Sequence, residues 1–213
     1  MLKLSKLKLG QKFTVMLLAV FIGGILMSGI ALSRLLNHTA EVELTNKALM
    51  LMETMNSVRQ YTVDQVRPEL EDRSATTFLP ETVPSYSAHQ VFETLQANPD
   101  YEEFFYKEAV LNPTNPKDQA DDFETSLVNA FQRPDSPPDI EGFRNAPGGK
   151  LYYIARPIQI TQESCLECHS TAARAPQSMV ALYGETNGFG WELNEVVGTQ
   201  LISVPAQTVF NEA

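Results

Sequence analysis

The sequence predicts an α+β domain, an antiparallel sheet with helices beside it, carried behind one membrane-spanning helix that continues into a second long helix. Three observations predict it. Residues 13–33 carry no charge and lead into a stretch with helical apolar spacing. The middle of the chain mixes short helical patterns with one strand-like run. The C-terminal third is mostly β-rich runs separated by Gly, Pro and Asn, an order that fits segregated helices and strands rather than alternating βαβ units.

The span is the first element. Phe13 to Ser33 gives 21 uncharged residues, and at about 1.5 Å per residue these cover roughly 30 Å, the thickness of a hydrocarbon core. Lys3, Lys6, Lys8 and Lys12 precede it, which places the N-terminus in the cytoplasm. A cleaved signal peptide shares the basic start, and Ala31-Leu32-Ser33 resembles a cleavage site. Its apolar region, however, is only about 7–15 residues long, so a retained anchor is the reading taken. On either reading the rest of the chain is exported to a periplasm or lumen. We therefore divide the chain into a basic tip and anchor (1–36), a membrane-proximal helix (37–75) and a globular domain (76–213).

Charge follows the same division. Residues 1–36 hold five of the 16 basic residues and no acid, so residues 37–213 set 11 basic residues against all 26 acids, a net of −15. Nucleic acid and anionic membrane surfaces need clustered positive charge, so this domain is expected to bind neither.

The elements after the anchor follow in order. Leu44, Ala48, Leu51, Met55 and Val58 recur at steps of three and four and predict one helix over 38–67. Pro68 is expected to stop it. This Leu/Met stripe packs against the domain or against a second copy of the chain. A linker, RSATTFLPETVPSYS, follows, and Ser87 with Gln90 reads as a capping box opening a short helix through Val91, Phe92 and Leu95. Phe104 to Leu111 reads as a strand and NPTNP as a turn. Pro116 suits the first position of a helix whose face carries Ala120, Phe123, Leu127 and Phe131. GFR and KLYYIARPIQI flank NAPGG as a hairpin. MVALYG and VVGTQLISVP are the last strand candidates, on either side of the turn-rich ETNGFGW.

The chemistry sits between the hairpin and MVALYG. Cys165 and Cys168 are the only cysteines, and His169, one of three histidines, follows them. C-x-x-C-H is the attachment pattern of c-type haem. Two cysteines three apart on a helical turn point the same way and can add to the two vinyl groups of one porphyrin. The next imidazole can then reach the iron as proximal ligand. Three other readings use the same residues. A disulfide would close a tiny loop and stabilise little. A thioredoxin-like thiol pair belongs between an N-terminal strand and a helix, whereas this one lies late in the chain. A structural zinc site wants four ligands and would need His89 or a carboxylate to join the three. Export favours haem c, which is attached outside the cytoplasm.

With those residues in hand, the chain resembles a family of cyanobacterial single-span c-type haem proteins, catalogued as a domain of unknown function, whose haem domain is PAS-like. The stretches that carry the resemblance are FFYKEAVLNPTNPKDQADDFE, GGKLYYIARPIQI, CLECHSTAARAP, LYGETNGFGW and VVGTQLISVP, from about residue 80 to residue 206. The resemblance implies a PAS-like haem pocket, export to the periplasm or thylakoid lumen, and a sensing or redox role. It also implies thioethers at Cys165 and Cys168 and proximal ligation by His169. A further cysteine on the far side of the iron does not carry over, because both cysteines are already taken.

The sixth iron position separates electron transfer from ligand sensing. The candidates are Met52 and Met55 on the long helix and His89 on the short one, with water, an empty site or an oxygen ligand as alternatives. For each of these residues packing or solvation is the competing role. Arg156 and Arg174 lie near enough in sequence to pair with a haem propionate, or else stand at the surface. No distal His-Arg pair, nucleophile triad or phosphate loop stands out, so an enzyme, a haem peroxidase included, is not expected. The expected role is a membrane-anchored sensor of redox state or a small gas. It would act through the long helix, as a homodimer or on a separate output partner, since the chain stops at Ala213 soon after its last strand. The runner-up is a tethered electron carrier that docks its acidic domain on a basic redox partner. A thiol–disulfide protein using Cys165 and Cys168 is third.

Overall fold

A computed structural model describes residues 8–74 and 77–206. Lys3 and Lys6 of the basic tip, and Ala75 and Thr76 of the linker, lie outside the described residues. Helix α1 runs from Leu9 to Tyr61, so the apolar segment and the membrane-proximal segment form one helix. Its N-terminal part is long and apolar enough to cross a membrane, and none of that stretch is buried by the rest of the chain. Further along, Ala40, Leu44, Ala48, Met52 and Met55 are buried. Leu44, Ala48 and Met55 of the stripe read from the sequence are among them, whereas Leu51 and Val58 are only partly buried against its edge, and Met52 takes the core position.

Pro68 does not end this helix. A π-helical turn, Thr62–Val66, follows α1 and passes into a short helical turn, Arg67–Glu69. Proline lacks an N–H and its ring crowds the carbonyl four residues back. That carbonyl belongs to Asp64, inside the wider π turn, where helical bonding has already shifted register.

Four strands form one antiparallel sheet in the order β1-β4-β3-β2. They are β1 Phe105–Val110, β2 Ile140–Ala146, β3 Gly149–Gln159 and β4 Val196–Pro205. β2 and β3 make the expected hairpin, closing at the Ala146–Gly149 pair around Pro147 and Gly148. β4 lies between β1 and β3, pairing Glu108 with Gln200 on one side and Arg156 with Gln200 on the other. This is the α+β open antiparallel sheet with flanking helices and a long leading helix that the sequence predicts.

Strand alternation sends side chains to two cores. On one face Tyr106, Tyr152, Ile154, Ile202 and Val204 meet the stripe of α1, together with Ala88 and Phe92 of α2, Pro84–Gln96. On the other, Ala155 and Leu201 meet Leu127 and Phe131 of α3, Asp122–Phe131. Burying each such side chain contributes about 1.5–3 kcal/mol, so the stripe is the main attachment of α1 to the domain. Thr45 adds a polar tie, 2.8 Å from the hydroxyl of Tyr152, which itself donates to Glu141 at 2.5 Å.

Two helix starts differ from expectation. α2 opens at Pro84, not Ser87, because proline at the first position is already preset for helix. The Ser87 hydroxyl donates instead to the Glu81 carbonyl. Pro116 opens only a 3-10 turn, Pro116–Asp118. α3 begins later, where Asp121 and Glu124 form a reciprocal capping box. One strand candidate is a helix: MVALYG belongs to α5, Gln177–Tyr183, which Gly184 ends at φ +85°. Its apolar run is too short for periodicity to tell helix from strand. A further helix, α4, is Glu163–His169, and it carries the cysteine motif.

Candidate functional site

α4 puts Cys165, Cys168 and His169 on a single helical stretch directly after β3. Both thiols are free and half-buried. Cys165 and Leu166 pack on Val110, Ile160 and Val197 at one end of the sheet. Cys168 packs toward Ala175, Met179 and Val180 of the following segment. Burial raises the Cys168 thiol above its ordinary pKa, with the nearby Arg67 guanidinium working the other way. It is therefore held as a thiol at neutral pH rather than as the depressed-pKa thiolate of a thioredoxin-like nucleophile.

His169 is fixed on three sides. Its Nδ1 lies 2.8 Å from the carbonyl oxygen of Gly188. A carbonyl can only accept, so the proton is on Nδ1 and the Nε2 lone pair is free. The ring stacks on Trp191, with centroids 3.9 Å apart and planes at 13°. The backbone of the 188–191 segment is tied back to the end of α4, with Gly190 N–H donating to Ser170 O at 3.0 Å and Trp191 N–H to His169 O at 3.2 Å.

Burial lowers the His169 pKa below 6.5, and the Gly188 carbonyl offsets this only in part. The folded pKa lies below the unfolded one, so the stabilisation is present above pH 6.5 and is lost as pH falls through the folded value. Haem-free protein should therefore lose thermal stability below about pH 6.5. His169→Gln should remove that part of the slope. Equal slopes in the two proteins, measured by unfolding between pH 7.5 and 5, would show that His169 carries no such linkage.

The site also draws in α1. Arg67 donates to Glu167 of α4 at 2.8 Å. Two turns earlier, Arg59 pairs with Glu108 of β1, whose side chain is buried. Tyr106 donates to Glu108 at 2.5 Å, and Gln200 donates to the Tyr106 hydroxyl at 3.1 Å. Glu108 shares a face of β1 with Val110, against which Cys165 packs. Burial is the largest influence on Arg59 and disfavours its charge. Attraction to the Glu108 carboxylate, the hydrogen bond to it and smaller contributions from Tyr106 and Cys165 together outweigh burial and hold the guanidinium charged, its pKa above the ordinary value.

The other sequence candidates are distributed as follows. Met52 and Met55 are buried in the α1–sheet core, a cluster separate from those of the two cysteines. His89 Nε2 is 3.7 Å from Asp118, and its ring lies 5.3 Å from that of Tyr106. Arg156 donates to Glu53 of α1 at 2.5 Å. Arg174 is exposed in the turn after α4. A shallow groove lined by Phe104, Arg144, Lys150 and Leu151 opens at the opposite end of the sheet and contains none of the motif residues.

Sequence reasoning passed over Arg59, Trp191, Gly188 and Asn112. Arg59 did leave a signal, since it stands four residues after Met55 on the apolar stripe. The others come from loops whose packing no local pattern specifies.

The donor set fits a tethered haem. Two unpaired thiols lie one turn apart, and the imidazole beside them has its Nδ1 proton committed and its Nε2 free. Among the described residues no three His, Cys, Asp or Glu side chains form a metal-ligand group, so the zinc reading lacks its remaining ligands. No curated protein matches the chain. Among solved structures it is similar to the one described as "Crystal structure of the cyanobacterial heme-protein Tll0287". The TM-score is 0.51 at 17% identity, over 76% of this chain and 95% of that one, a likeness of fold. The Tll0287-like family model matches residues 37–205, from the membrane-proximal helix to the last strand, and the chain belongs to that family.

Proposed function

We propose that the chain is a membrane-anchored c-type haem protein that senses redox state or a small gas on the periplasmic or lumenal side. Belonging to the Tll0287-like family, and the fold shared with a protein described as a haem protein, support haem binding. The observation that carries the covalent form is the pair of free thiols on one turn beside an imidazole protonated at Nδ1. Cys165 and Cys168 would hold the group through thioethers and His169 through Nε2. Bound there, a haem supplies an iron that exchanges one electron and accepts small ligands.

The sensing part rests on α1. One helix joins the apolar segment to Arg59, and the helical stretch beyond it reaches Arg67, the partner of Glu167 in the motif helix. A displacement of α4 would thus reach the membrane segment along one continuous helical stretch. In this reading the chain binds and signals, turning over no substrate. It acts as a dimer through α1 or on a separate partner. The −15 charge of residues 37–213 favours a second reading, a tethered electron carrier.

Protein made beside a haem-maturation system tests both. Denaturing mass spectrometry should show a porphyrin adduct on the Cys165–Cys168 peptide, and its absence would end the proposal. Absorption spectra that change on adding CO or NO, together with altered proteolysis of α1, would support sensing. An unchanged six-coordinate spectrum with fast electron exchange would leave the carrier.

A further inference from the structure

The hydrogen bond that sets the His169 tautomer is itself held by a residue far away in sequence. Gly188 N–H donates to Asn112 Oδ1 at 3.3 Å, and Asn112 Nδ2 donates to Phe189 O at 3.2 Å. These two bonds bracket the Gly188–Phe189 peptide, whose carbonyl accepts from His169. Asn112 stands just beyond β1, in a segment fixed by Leu111 N–H donating to Val197 O at 3.2 Å. The other side of Gly188 is closed as well. Its φ is +81°, and a Cβ there would lie 2.0 Å from Thr114 Oγ1. Only glycine allows the loop to settle between Thr114 and α4.

We propose that Asn112 is the positioning residue for His169: its carboxamide aims the Gly188 carbonyl at Nδ1, and thereby leaves Nε2 as the unprotonated nitrogen with its lone pair available to a metal. The inference deepens the haem reading and rests on it for the second of its two consequences. The first needs no haem. A neutral imidazole has two tautomers, and the hydrogen bond at one nitrogen selects between them. The second is electronic. A histidine whose far N–H is bonded to a carbonyl is a more basic ligand, which favours the oxidised metal and lowers the potential.

The test uses the full chain in detergent micelles. In haem-free protein labelled with ¹⁵N, ring correlations report the tautomer, and with only three histidines the spectrum is simple. His169 should be in the Nδ1–H form, and Asn112→Ala should shift it toward Nε2–H. Asn115→Ala, which removes only a cap on Lys117 N–H in the same turn, should leave it unchanged. In haem-loaded protein of equal haem content, N112A should raise the midpoint potential by roughly 30–60 mV. That is a three- to tenfold change in the redox equilibrium at about 59 mV per tenfold for one electron. An unchanged tautomer in N112A overturns the proposal outright. A shifted tautomer with an unchanged potential overturns its bearing on the iron. A parent protein that takes up no haem ends the haem reading, while the tautomer result still stands or falls by itself. Should N112A be poorly folded, Asn112→Ser, too short to span both bonds, gives the same two readings.

Discussion

Substituting both motif cysteines, Cys165→Ser with Cys168→Ser, will abolish covalent haem retention while leaving the domain folded. The chemical half follows from the bonds involved. A thioether survives denaturation, whereas a single axial imidazole releases its porphyrin when the protein unfolds. Denaturing mass spectrometry should therefore show the adduct in the parent and none in the double variant. The structural half follows from where the thiols lie. Each is only half-buried, at the margin of a small cluster rather than in the α1–sheet core. Serine is close in volume, and substitutions at such margins cost about 1 kcal/mol or less each. The far-UV spectrum and thermal transition of the haem-free protein should change little. His169→Ala makes the contrast, since it should keep the adduct and alter the absorption spectrum. A double variant that still carried the mass of a porphyrin, or a parent joined only by a Cys165–Cys168 disulfide, would refute the assignment and restore the thiol–disulfide reading.

Much of the fold was legible because its cores are made of periodic segments. Leu44, Ala48 and Met55 show helix, Phe104 to Leu111 shows strand (Phe105–Val110 in the fold), and NAPGG between β-rich runs shows the hairpin. Each is a local statement that tertiary packing then respects. The failures came where one residue had to outvote a neighbour. Ser87 looked like a cap, but Pro84 had already set the helix φ. Pro68 looked like a stop, but a π turn made room for its ring. MVALYG has strand composition, yet it lies between Pro176 and Gly184, a span one helical stretch fills. For the site, the cysteine pair and His169 announced themselves. What orients them did not. Asn112 and Gly188 are 76 residues apart, and Trp191 meets His169 only because the 184–191 loop folds back on α4. Short-range patterns carry no information about such contacts.

Arg59→Met will destabilise the protein by about 3–5 kcal/mol, the cost typical of breaking a buried ion pair from one side. Glu108 is the reason. Its carboxylate is almost wholly buried, and its partners are the Arg59 guanidinium and the Tyr106 hydroxyl. Burial together with the neighbouring carboxylate pushes the Tyr106 hydroxyl well above its ordinary pKa, so it remains a neutral donor and cannot replace the lost positive charge. Methionine would fill much of the space of the arginine stem while leaving that carboxylate with one neutral hydrogen bond. Glu108→Gln should cost less, because Arg59 is about 29% exposed and can reach water. Removing both charges, Arg59→Met with Glu108→Met, should recover most of the loss, since well-packed apolar replacements of a buried pair are often neutral or better. A double-mutant cycle from urea midpoints measures the coupling, and a single-variant loss below about 1 kcal/mol would mean that water reaches Glu108. The pair joins α1 to β1 beside the strand end on which Cys165 packs. The double variant would therefore keep stability while removing the charged link between the long helix and that strand. If α1 transmits the state of the haem domain, the double variant should bind CO as the parent does but lose the accompanying change in protease sensitivity of α1.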